Sequence, residues 1–186
     1  NMAAEFSNSP IDMRHRLTMS YLWALPFGKG KAFLNHGGLT NWVIGGWQTN
    51  GILTTQSGLW FSPVLQTSTT NGTSSRPNRS GAVSYPKTLT KWFDPSAYSS
   101  PAPYTYGNAG RDSLVAPGRT NWDASIFKSF PVYDKSFVEF RMEAFNTLNH
   151  PQFGYPNANI GNAQAGQITS IVGNPRNLQA SVRFQF

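Results

Sequence analysis

The sequence predicts an all-β fold, an antiparallel meander of about five strands, and three observations carry that expectation. Charged residues make up only 12% of the 186 residues, about half the usual share. Aromatic residues reach 14%, with 17 glycines and 13 prolines, a mixture that suits short strands joined by many turns. The proline-free stretches alternate apolar and polar residues with period two, as strands with two unlike faces do.

Proline cannot sit inside a central strand, so its positions bound the elements. The first strand is expected at 14–25, "RHRLTMSYLWAL", with Leu17, Met19, Tyr21, Trp23 and Leu25 on one face. The second covers about 46–61, "GWQTNGILTTQSGLWF", where glycines weaken the alternation. The third runs over 120–130, "TNWDASIFKSF".

The fourth, 137–148, "FVEFRMEAFNTL", sets Val138, Phe140, Met142 and Ala144 against Glu139, Arg141 and Glu143. Its Glu, Arg, Met, Ala and Leu are also helix formers. Positions 139, 141 and 143 cannot share one helical face, however, so the period favours a strand. The fifth, 177–186, alternates Leu178, Ala180, Val182, Phe184 and Phe186 with Gln179, Ser181, Arg183 and Gln185.

Loop lengths then separate a membrane barrel from a soluble domain. The tract 62–119 holds seven of the 13 prolines and runs such as "QTSTTNGTSSRPNRSG". A loop of that length is foreign to a compact soluble domain and ordinary on the outer side of a membrane barrel. "PVYDKS" is tight, and 149–176 is long again. The pattern predicts part of a transmembrane β-barrel with long extracellular loops at 62–119 and 149–176, its C-terminus periplasmic. Only the connection from Pro26 to about Gly45 fits poorly, being long on the side of short turns; a helical turn is expected near "LTNWVIGG".

In such a barrel the apolar face meets lipid and the polar face the lumen. Trp23, Trp47, Trp122, Phe130, Phe184 and Phe186 fall toward strand ends, where interfacial girdles lie. Lys128 shares the parity of Trp122 and Ile126 and would snorkel from the lipid face to the interface. Arg16, Glu139, Arg141, Glu143, Gln179 and Arg183 are the expected lumen-lining residues. In the fourth and fifth strands Glu139 and Arg183 should share a face within salt-bridge reach, directly or diagonally.

Other chemistry is absent from the pattern. The net charge of +7 comes from scattered basic residues, with none of the motifs of a nucleic-acid reader, so nucleic acid is not an expected partner. Cysteine is absent, which excludes disulfides and thiol chemistry. His15, His36 and His150 lack metal-site spacing and read as solvated residues. "GKGKAF" has Phe33 where a dinucleotide fingerprint needs its third glycine. "NGT" and "NRS" match glycosylation sequons that carry little weight in a bacterial chain. "NMAAEFSNSP" lacks the basic start and apolar core of a signal peptide. Neither catalysis, a metal nor a cofactor is expected.

"NWDASIFKSF", "FRMEAFNTLNHPQFG" and "LQASVRFQF" together resemble the end of a TonB-dependent outer-membrane receptor, the Oar-like receptors of Acidobacteria-type bacteria in particular. "GWQTNGILTTQSGLWFSP" and "WFDPSAY…YGNAGRDSLVAPGRTNWD" fit the same group, and the likeness runs from Asp12 to Phe186. The resemblance implies that 1–186 is the C-terminal part of a receptor that takes up a ligand, embedded in the bacterial cell outer membrane. Barrels of that type have about 22 strands and a plugged lumen, so five strands are a piece of wall. Its implied partners are outer-membrane lipid, the rest of the barrel and plug, and the TonB complex through the missing N-terminal part. Val182, Phe184 and Phe186 resemble the terminal signal read by the barrel assembly machinery. Trp92, Phe93, Tyr98, Tyr104 and Tyr106 are the loop aromatics expected to contact a ligand. The competing class is a secreted β-sandwich carbohydrate-binding module; in that fold Val138, Phe140, Met142, Val182 and Phe184 would converge across two packed sheets.

Overall fold

The computed structural model describes residues 5–70 and 75–186. The chain divides into two compact units. One holds a five-stranded sheet in the order β1-β2-β8-β9-β11, formed by β1 (Arg16–Ala24), β2 (Gln48–Gln56), β8 (Arg119–Tyr133), β9 (Ser136–Phe145) and β11 (Asn177–Gln185). The other is built from the N-terminal residues, the long tract after β2 and the segment 151–173. It contains β3 (Trp60–Phe61), β4 (Val64–Leu65), β5 (Asn78–Arg79), β6 (Tyr98–Ser99), β7 (Leu114–Val115) and β10 (Asn159–Ile160).

The five strands lie close to where the alternation puts them, and three differences have physical causes. The expected second strand ends at Gln56 rather than Phe61. At Gly58 the backbone passes so near Ala116 that a Cβ would fall 1.7 Å from its carbonyl oxygen. Trp60 and Phe61 then pair with Val115 and Leu114. The third strand runs on through Pro131 to Tyr133. Its register shifts between Pro131 and Tyr133, and a bulge is one of the places where a strand tolerates proline. The fourth ends at Phe145, because Asn146 takes a left-handed φ of 50°. It is a strand, not a helix, throughout.

Register is uniform across the last three strands. Ser125 pairs with Glu143, Phe127 with Arg141 and Ser129 with Glu139 in the β8–β9 ladder. In the β9–β11 ladder Gln179 faces Glu143, Ser181 faces Arg141 and Arg183 faces Glu139. Odd residues therefore meet odd residues, and Glu139, Arg141, Glu143, Gln179 and Arg183 fall on one face of the sheet. On the apolar side β1 and β2 meet where Tyr21 crosses Gly51; a Cβ there would lie 2.8 Å from the Tyr21 hydroxyl and 2.7 Å from the Asp123 carbonyl. Glycine is the residue that admits this approach.

Burial in this unit is inverted relative to a soluble domain. Among its described residues the buried side chains beyond glycine are Ser125, Lys128 and Asn146, all polar. Leu17, Met19, Trp23, Met142, Leu178, Val182 and Phe184 are exposed. Tyr21, Trp23, Trp122, Ile126, Met142 and Leu178 line one apolar surface. Val138, Phe140, Met142, Val182 and Phe184 share one face of one sheet, not the interior of two.

The long tract is not structureless. Leu65, Phe93, Tyr98, Ala109, Leu114 and Ile160 form a buried core, with Phe61, Val83, Tyr85 and Trp92 packed against it. Three two-strand pairs frame it: β3 with β7, β5 with β6, and β4 in parallel with β10. Ser62 and Asp112 exchange hydrogen bonds, Ser62 Oγ to Asp112 Oδ1 at 2.9 Å and Asp112 N–H to Ser62 Oγ at 2.8 Å. The Arg14 guanidinium stacks over Trp60 at 4.5 Å, and Glu5 pairs with Arg76. Asp94 caps the 3-10 turn Pro95–Ala97. The Ser96 backbone N–H and the Lys91 ammonium hold its carboxyl below the usual carboxylate range.

Asn146 closes the β9 end of the sheet. Its N–H donates to Asp123 Oδ1 at 2.8 Å, its Oδ1 accepts from His150 N–H at 3.0 Å, and its Nδ2 donates to the His150 and Asn174 carbonyls at 3.2 Å. Asn is among the few non-glycine residues that adopt this φ readily.

Two outcomes test these assignments. Phe93→Ala, at a fully buried ring, should cost the loop unit about 3–5 kcal/mol. Limited trypsin digestion of the folded protein should then cut the loops early while the sheet remains intact; loops as resistant as in the parent would remove Phe93 from the core. Asn146→Ala should lower the urea unfolding midpoint by the equivalent of about 2–4 kcal/mol, from lost hydrogen bonds and backbone strain together. Asn146→Gly relieves the strain alone and should fall between; equal loss in both variants would mean that φ contributes nothing.

Candidate functional site

Two surfaces gather the polar and aromatic side chains singled out by the sequence. The first is the polar face of the sheet. Arg141 stands at its centre because period-two alternation in β9 puts it between Glu139 and Glu143 on the same side. Its Nε is 3.2 Å from Glu139 Oε1, its Nη1 is 3.8 Å from Glu143 Oε1, and its guanidinium lies 4.3 Å over the Phe127 ring. Gln179 donates its amide to Glu143 Oε2 across the β9–β11 pair. Each ion pair is partly solvated, so each contributes little to stability, on the order of 0–1 kcal/mol. What the chain of charges does is fix side-chain direction.

Glu139 and Arg183 are directly opposed in the ladder, as the alternation requires. Glu139 nevertheless takes its ion pair from Arg141 in its own strand. Arg16 opens β1 with the parity of Ser20, and its side chain is exposed. Beside the stripe lies a depression of about 450 Å³, lined by Ser20, Asn50, Asp123, Ser125 and Glu143 together with Leu22, Ile52 and Phe145. Ser125 Oγ donates to Asn50 Oδ1 within it. Alternation alone sets Leu22 on the face of Arg16, Thr18 and Ser20, whereas the sequence does not mark Ile52 and Phe145 as members of a polar face; Leu22 and Ile52 break the polar character of that face and are exposed. That break was the available signal.

The second surface is on the loop unit, and here the structure corrects the sequence. Phe93 is 0% exposed and Tyr98 is buried beside it, their rings 6.5 Å apart. Trp92 donates its indole N–H to the Val115 carbonyl at 2.8 Å. Phe93 and Tyr98 pack the core and are not exposed for ligand contact, and Trp92 lies half-buried against them, because a tract of this length buries apolar surface of its own once it folds. Tyr104 and Tyr106, at 83% and 82% exposure, do present their rings. Tyr104 takes a left-handed φ of 63°, and its N–H is held by the Thr69 carbonyl at 2.9 Å.

Lys128 is a second correction. It has the parity of the apolar face, where it pairs with Phe140, but it does not extend freely into its surroundings. It is 5% exposed. Its ammonium donates to the Trp42 and Val43 carbonyls, which belong to the helix α1 (Leu39–Ile44) in the connection where a helical turn was expected. At the C-terminus of β11 the Phe184 and Phe186 rings stack at 5.9 Å, and Val182 is exposed with them on the apolar parity.

A sheet that leaves one apolar face exposed, and whose buried side chains among the described residues are polar, is built to meet lipid on that face. No curated protein and no solved structure matches the chain. A family model described as an outer membrane beta barrel domain matches residues 1–179. That match and the inverted burial place the chain in the bacterial outer membrane, and they exclude the secreted sandwich. The chain belongs to the outer membrane beta barrel domain family.

Proposed function

We propose that the chain is the C-terminal wall of a TonB-dependent receptor that takes up a ligand across the outer membrane and performs no catalysis. The observation that carries this reading is the apolar spot within the polar face. Leu22, Ile52 and Phe145 lie in the same depression as Asp123, Ser125 and Glu143. An aqueous pore gives three exposed apolar side chains nothing to pack against, whereas a plug domain covers them. The motif resemblance noted above, "FRMEAFNTLNHPQFG" and "LQASVRFQF", supports the same class.

In this reading Arg16, Glu139, Arg141, Glu143, Gln179 and Arg183 line the lumen and meet the plug. β1 and β11 form the edges of the sheet and pair with strands from the rest of the barrel. The loops 62–119 and 149–176 face the exterior, and the turn at Asp134, with its φ of 47°, faces the periplasm. Tyr104 and Tyr106 are the remaining aromatic contacts for a ligand. Val182, Phe184 and Phe186 engage the assembly machinery.

The isolated periplasmic domain of TonB should bind the detergent-solubilised full-length protein; failure to bind it, with or without outer-membrane extract as a source of ligand, would remove the receptor class. Deletion of Phe186 should reduce the amount of protein recovered in the outer-membrane fraction several-fold. Unchanged recovery would count against an assembly role for the terminal ring.

A further inference from the structure

Between β1 and β2 the chain makes a lobe where a tight turn would suffice. The lobe is ordered internally: Asn41 Oδ1 accepts from Lys29 N–H at 2.6 Å, and Asn35 Oδ1 accepts from Gly30 N–H at 2.7 Å. The Phe27 and Phe33 rings meet at 5.9 Å. α1 is tied to the sheet through its C-terminal carbonyls. Val43 O accepts from Trp47 Nε1 at 2.9 Å and from Lys128 Nζ at 3.3 Å, and Trp42 O accepts from the same ammonium. The Trp42 ring lies 5.1 Å from Phe130.

Lys128 and Phe130 belong to the apolar face, so α1 is seated on the side that meets lipid, toward the Asp134 end of β8. What it leaves exposed is again apolar. Leu39 is 76% exposed and Trp42 56%, with Val43 exposed beside them. The stretch from Pro26 to Trp47 carries Lys29 and Lys31 and no acidic residue.

We propose that this lobe is an interfacial anchor, lying in the headgroup region of an anionic phospholipid leaflet with Leu39, Trp42 and Val43 in the acyl boundary and Lys29 and Lys31 at the phosphates. Two observations select lipid as the occupant. The exposed apolar side of α1 is continuous with the lipid-facing surface of β8 and β9. The charges of the lobe itself, Lys29 and Lys31, are of one sign, as on surfaces that bind anionic membranes. Tryptophan suits that depth, with an apolar body and a polar edge.

Lys128 is the fastener. On the lipid face of a strand its charge would be costly; under the helix it meets the carbonyls that a helix C-terminus leaves unpaired. Assignment to the periplasmic leaflet rests on the orientation proposed above, whereas the anchoring does not.

The chain has no cysteine, so, with any cysteine elsewhere in the full-length protein replaced by serine, single cysteines can carry a nitroxide. Val43→Cys, Met142→Cys and Gly81→Cys would be compared in phosphatidylethanolamine–phosphatidylglycerol vesicles by collision with oxygen and with a water-soluble nickel chelate. Position 142 should read as lipid and 81 as water, with 43 favouring oxygen over nickel several-fold. Lys29→Glu with Lys31→Glu should move position 43 toward the aqueous ratio, and Lys128→Met should raise its mobility while 142 stays unchanged. A label at 43 as aqueous as at 81, with 142 in lipid, would overturn the anchor; an aqueous 142 would overturn it too, by removing the lipid-facing assignment. An impermeant thiol reagent on whole cells should modify Gly81→Cys and not Lys29→Cys. The reverse would overturn the orientation and place the anchor in the opposite leaflet.

Discussion

The in-step register of β8, β9 and β11 is the constraint on which the rest of the sheet depends. Because Phe127 meets Arg141 and Arg141 meets Ser181, Glu139, Arg141, Glu143, Gln179, Ser181 and Arg183 all point one way. A slip of one residue would turn Glu139, Arg141 and Glu143 into hydrocarbon together. The cost of that error, multiplied over three charges, is what makes the register unique. The same constraint explains the thin contribution of each ion pair: the charges need only stay on the wet side.

The strands were legible because period two survives without tertiary information. Val138, Phe140 and Met142 against Glu139, Arg141 and Glu143 fix a strand and its face at once, and the paired position of Glu139 and Arg183 follows by counting. Strand ends were less legible. The end at Gln56 depends on Gly58 meeting a carbonyl from Ala116, about 60 residues away, and no local pattern announces that approach. Asn146 was within a stretch of helix-forming residues, and its left-handed φ is imposed by Asp123, His150 and Asn174.

Burial in the loops was the part least available to sequence. Phe93 and Tyr98 stand among Pro, Ser and Asp, where an aromatic ring reads as exposed, and only the gathering of Leu65, Leu114 and Ile160 around them makes a core. Lys128 illustrates the same limit from the other side. Its parity was clear from "NWDASIFKSF", but the helix that covers it lies more than 80 residues earlier in the chain. A side chain's face is a local property, and its cover is not.

The loop core has a bearing on how strands so far apart in sequence find each other. β2 ends at Gln56 and β8 begins at Arg119, and closing a flexible connection of about 60 residues costs roughly 4 kcal/mol in chain entropy. A connection that has already condensed around Phe93 holds its own ends together: Gly118 packs so close to Gln56 that a Cβ would lie 2.7 Å from its carbonyl oxygen. For the kinetics of pairing, the long insertion then behaves as a short one. The rings that cannot meet a ligand would thereby raise the effective concentration of one strand at the edge of the other.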